Sequence, residues 1–153
     1  MRILLSSIVI LNAALAMAQG PSFTNRQQTS GLVGIVAGQT ARLNALYPTA
    51  PAPILQPLCA VTLTIVDDQG KVLKSTSTPQ LVAGRNASLE LNADTDLPGS
   101  SRTEIYALAI GTQGCSLVTN LEIIDNATQK TLLVVGVPLT YPITLSTPAM
   151  SSR

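Results

Sequence analysis

The sequence predicts an all-β protein, an antiparallel β-sandwich of about eight short strands held by one disulfide. Three observations predict it. Apolar residues recur with a period of two in most segments, as in strands buried on one face. Turn residues punctuate these segments at fairly even spacing. Outside the first 18 residues no stretch carries a convincing helical period.

The clearest element is the hairpin Cys59–Leu73. Cys59, Val61, Leu63 and Ile65 share one strand face, with Ala60, Thr62, Thr64 and Val66 between them. Val, Ile and Thr suit a pleated surface because their χ1 angles are restricted. Asp67-Asp68-Gln69-Gly70 supplies the turn, with Gly70 free to adopt positive φ. An echo runs from Cys115 to Val135. There Cys115, Leu117, Thr119, Leu121 and Ile123 share a face, and the turn begins at Asp125. Two similar hairpins are expected rather than a repeat array, which needs three or more units.

Both cysteines fall on inward faces, and in an exported chain they are expected to form one disulfide, Cys59–Cys115. Two buried free thiols are the alternative. A metal site is disfavoured, because the sequence has no His and no third Cys.

Export is expected from the start of the chain. Met1-Arg2 precedes an apolar run, Ile3–Leu15, and Ala16-Met17-Ala18 forms a small-residue cleavage site. Cleavage after Ala18 would give a secreted or periplasmic protein beginning at Gln19. The organisation expected is a signal peptide at 1–18, a flexible polar leader at 19–30, the sandwich at 31–136 and a proline-containing tail at 137–153. Loss of Arg2 lowers Lys plus Arg from 9 to 8, equal to the 8 Asp plus Glu. No basic patch exists to draw nucleic acid or an anionic membrane surface, and no membrane span is expected after cleavage.

In chain order, Gly31–Val36 and Thr40–Leu46 read as strands about a turn at Ala37-Gly38-Gln39. Tyr47–Leu58 holds four prolines and reads as a surface loop. Lys71–Thr78, mostly Ser, Thr and Lys, reads as a solvent-facing edge strand, and Pro79–Gly84 as a connection. Asn86–Asn92 alternates cleanly, Ala93–Ser101 reads as a loop, and Arg102–Ile110 is apolar enough on both faces to lie centrally. Thr131–Val135 closes the set. No charge occurs from Thr131 to Ser152, but three prolines and many Ser and Thr argue against a membrane span there.

Catalytic signatures are weak. A Ser or Cys triad usually relies on His as its base, and none is present. Carboxylate pairs at Asp67/Asp68 and Asp94/Asp96, with Glu90, could serve a hydrolase, yet Asp67, Asp68 and Asp125 stand where turns favour Asp. Asn92-Ala93-Asp94-Thr95-Asp96 spaces oxygen ligands as calcium loops do, without their Gly and distant Glu. Asn86-Ala87-Ser88 and Asn126-Ala127-Thr128 match the glycosylation sequon. No cofactor is implied.

Gly34-Ile-Val-Ala-Gly-Gln-Thr-Ala-Arg-Leu-Asn44 resembles the strand–turn–strand opening of bacterial extracellular immunoglobulin-like or fibronectin-III-like domains. Ile123-Ile-Asp-Asn-Ala-Thr-Gln-Lys-Thr131 resembles the last hairpin of small exported bacterial proteins. The resemblance implies an immunoglobulin-like β-sandwich. It lacks the core Trp of true immunoglobulin domains and the tyrosine two residues before the second Cys.

The function expected is therefore a non-catalytic exported module acting by protein binding or assembly. The alternatives are a ligand- or carbohydrate-binding module and, more remotely, a carboxylate-based hydrolase. The partner would be another protein or a second copy, met through an exposed edge strand or the tail. Candidate surface residues are Tyr47, Pro53 and Ile54 in the proline loop and Leu139 and Tyr141 in the tail.

Overall fold

The computed structural model describes residues 26–49, 57–112 and 114–137. The residues expected to form a signal peptide and its cleavage site lie outside this set, as do Pro53, Ile54, Leu139 and Tyr141.

Among the described residues, nine strands form two antiparallel sheets, with one helical turn outside them. The strands are β1 Arg26–Thr29, β2 Val33–Ile35, β3 Gln39–Tyr47, β4 Cys59–Asp67, β5 Val72–Leu81, β6 Arg85–Asn92, β7 Thr103–Gly111, β8 Val118–Asp125 and β9 Thr131–Gly136, with α1 Ala93–Asp96 between β6 and β7. The first sheet runs β1-β7-β4-β5, with β2 also paired to β7. The second runs β6-β3-β8-β9.

The inward-facing set forms the core between the sheets. Leu43, Leu63, Ile65, Ile105 and Leu121 are fully buried within it, and Ala41, Ala45, Ala107 and Ala109 let the sheets approach. Burying side chains of this kind stabilises the fold by roughly 1.5–3 kcal/mol each. β7 lies in the middle of its sheet, as its two-faced apolar character suggests.

The two echoing hairpins lie in opposite sheets, β4–β5 in the first and β8–β9 in the second. Each turn is organised by its leading aspartate. Asp67 Oδ1 accepts from the N–H groups of Gln69 and Lys71 at 3.1 and 2.7 Å. Asp125 Oδ1 accepts from the N–H and hydroxyl of Thr128 at 2.7 and 2.8 Å. The residue before the lysine needs the left-handed region in both turns. Gly70 takes it at φ +83° and Gln129 at φ 58°.

Cys59 and Cys115 are bonded, with their Cα atoms 5.6 Å apart. Cys59 opens β4 in the first sheet, and Cys115 precedes β8 in the second. The bond thus ties the start of β4 to the connection between β7 and β8 within the core, where both residues are buried.

Four expectations are corrected. The polar leader is not free of structure to residue 30: Arg26–Thr29 pairs with β7. Its inward residue is Gln28, buried and satisfied, donating through Nε2 to Leu117 O at 3.0 Å while the Thr119 hydroxyl donates to Gln28 Oε1. Pro79 belongs to β5 rather than to a connection, which an edge strand tolerates because a missing N–H can face solvent. Cys115–Leu117 keeps the inward alternation outside any strand, β8 starting at Val118. Finally, Ala93–Asp96 is a helical turn, because Asn92 Oδ1 accepts from Asp94 N–H at 2.9 Å and caps it.

Candidate functional site

The expected partner surface at Tyr47 is overturned. Tyr47 ends β3 with only 2% of its surface exposed. Its hydroxyl donates to Pro57 O at 3.1 Å, and its carbonyl accepts from Gly84 N–H at 2.6 Å. The side chain plugs one end of the core and offers no face to a protein or a sugar ring.

The oxygen-rich segment Asn92–Asp96 is committed to holding the fold. Asp94 accepts from Gly38 N–H at 2.7 Å and from Asn126 Nδ2 at 2.9 Å. Asp96 Oδ2 accepts from Asn92 N–H at 2.9 Å and from Lys74 Nζ at 2.7 Å. Both carboxylates therefore already have protein donors, which a bound calcium ion would displace. Asn126 of the second sequon is equally engaged, its Oδ1 accepting from the Thr40 hydroxyl at 2.7 Å. Asn86 of the first sequon is exposed on β6.

Hydrogen bonding from Lys74 is the main cause holding the Asp96 carboxyl below the usual carboxylate range. For Asp125 the main cause is the Thr128 N–H. A carboxyl with a lowered folded pKa stabilises fully above its unfolded value, near 4, and that stabilisation is lost as pH falls through the folded value. The melting temperature is accordingly expected to fall on acidification below about pH 4. Asp96→Asn should reduce the drop by a few degrees at most, because the ion pair is partly exposed. Thermal melts of both proteins between neutral and strongly acidic pH check this.

A polar depression of about 340 Å³ lies on the outer face of the second sheet, beside Arg42, Glu90 and Asn92. Arg42 Nε donates to Glu90 Oε1 across it at 2.7 Å, so its charges satisfy each other. No family model, curated protein or solved structure matches the chain.

The feature that local order leaves unanswered is β9. It reads Thr-Leu-Leu-Val-Val-Gly, without charge or proline. It pairs with β8 on one side, and no described strand pairs with its other side. Leu132, Leu133 and Val134 are 55%, 44% and 56% exposed. Leu133 lies opposite buried Ile123, in the inward row, yet remains half uncovered, while Val134 lies opposite Glu122 on the outer face. Leu132 is the extra residue where the register shifts between Ile123 and Ile124. The strand thus offers apolar side chains on both faces.

The other sheet edges are guarded in the ways natural proteins guard them. β5 carries Lys74 and Pro79, and β6 carries Arg85 and Glu90. β1 and β2 are only four and three residues long. Sequence reasoning placed a strand at Thr131–Val135 but not its exposure. The available signal was the uncharged stretch that begins there.

Proposed function

We propose that this chain is a non-catalytic exported module that acts by protein binding or assembly through the free edge of β9. The observation that carries the reading is an edge strand with three exposed large apolar residues and neither charge nor proline to guard it. Exposed β-edges of this kind add a strand from a partner, with main-chain hydrogen bonds giving affinity. The disulfide supports an oxidising compartment, secreted or periplasmic. Among the described residues no helix is long and apolar enough to cross a membrane. The proposed immunoglobulin-like topology draws support from the β3–β6 and β4–β7 pairings, which parallel the B–E and C–F pairs of that fold. The last hairpin differs, lying beside β3 rather than pairing with β7.

The test is Leu132→Lys with Val134→Lys, which restores a charged edge without touching a fully buried residue. The wild type is expected to assemble in light scattering and the variant to remain a single chain, with the melting temperature nearly unchanged. Assembly that is indifferent to the two lysines refutes the edge reading.

A further inference from the structure

Resting on that reading, we infer that the strand added to β9 is the segment Leu139–Leu145 of a second copy of this chain. Sixteen residues follow Val137 in the sequence. Within them Leu139, Tyr141, Ile143 and Leu145 alternate with Thr140, Pro142 and Thr144, the period of a strand with one apolar face. Pro142 falls on the other face and restricts such a strand to an edge position. Its seven residues are enough to span β9, six residues, with no charge on either partner to oppose pairing.

Two observations favour donation to a neighbour over a return onto the chain's own β9. The first is direction. Val137 N–H donates to Thr119 O at 3.1 Å, so the chain is still running along β8 beyond the last residue of β9. Pro138 then holds Val137 extended, since a residue before proline avoids the helical region. The second is turn chemistry. Tight hairpins need residues that tolerate positive φ, chiefly Gly, Asn and Asp. The turn before β3 uses Gly38, that before β5 uses Gly70 and that before β6 uses Gly84, all at positive φ, while the turn before β9 sets Gln129 there and is held by Asp125. From Val137 to Arg153 there is no Gly, Asn or Asp. The segment has a strand pattern but no tight turn with which to fold back.

Donation from one copy to the next is head-to-tail. Such an interface is heterologous, and it builds a ring or a filament according to whether the rotation closes.

The experiment uses the full chain carrying Tyr141→Lys and Ile143→Lys, which leaves every described residue intact, and a labelled synthetic peptide of residues 138–153. The wild type is expected to form multi-chain species that grow with concentration, and the variant to remain a single chain. The peptide should bind the variant, at least tenfold more weakly once Leu132→Lys and Val134→Lys are added. A wild type that stays a single chain at every concentration overturns the inference, as does a peptide that fails to bind. Assembly that survives the tail substitutions but is abolished by the β9 lysines overturns this inference alone and leaves the edge reading standing. Assembly that survives both sets overturns both.

Discussion

Replacing Cys59 and Cys115 together with alanine is expected to lower the unfolding free energy by about 4 kcal/mol in the chain-entropy account of a disulfide. The bond closes a separation of 56 residues, so its loss frees a large part of the unfolded chain. It also joins the opening of β4 to the connection between β7 and β8, in a core where both residues are buried. Alanine fits these apolar positions and leaves no buried polar group. For a domain of this size the melting temperature should fall by on the order of 15 °C. Urea denaturation of the double variant beside the wild type measures the change. A loss below about 1 kcal/mol, well short of the expected range, would show that the link restrains little of the unfolded chain.

Tyr47→Ala is expected to cost about 3–5 kcal/mol, the range for truncating a large buried aromatic. Tyr47→Phe should cost only about 1 kcal/mol, the net worth of one hydrogen bond. The pair separates the two roles that position could have. A surface tyrosine would lose a partner on truncation and keep its stability. Tyr47 is enclosed and donates to Pro57, so stability is what it should lose. Chemical denaturation of both variants decides the matter, and near-equal stabilities for Tyr47→Ala and the wild type would contradict the packing described.

Local chemistry made much of this fold legible. The alternation Cys59–Ile65 and Cys115–Ile123 marked the core faces correctly, even where Cys115–Leu117 forms no strand, because burial rather than ladder pairing sets that pattern. Asp67 and Asp125 declared the turns through short-range hydrogen bonds that depend on their own side chains. β1 was illegible for the opposite reason. Arg-Gln-Gln-Thr has no apolar rhythm, and it becomes a strand only because β7 offers an edge and Leu117 and Thr119 satisfy Gln28. Tyr47 was misplaced because proline-rich surroundings suggested exposure, whereas the register of β3 turns it inward. The edge of β9 was hidden in the same way. An apolar strand without alternation reads like a central, doubly covered one, and only the strand order of the whole sheet puts it last.

The most direct test of the central claim is hydrogen exchange at the backbone amides of β9 across a range of protein concentrations. Val137 N–H donates to β8, so in the antiparallel alternation it is Val134 and Gly136 whose N–H groups face the open edge. Their protection is expected to rise as concentration rises, and to vanish in the variant with Leu132→Lys and Val134→Lys. Exchange at those amides that is independent of concentration, whether fast or slow, would contradict an edge that works by taking a strand from a partner.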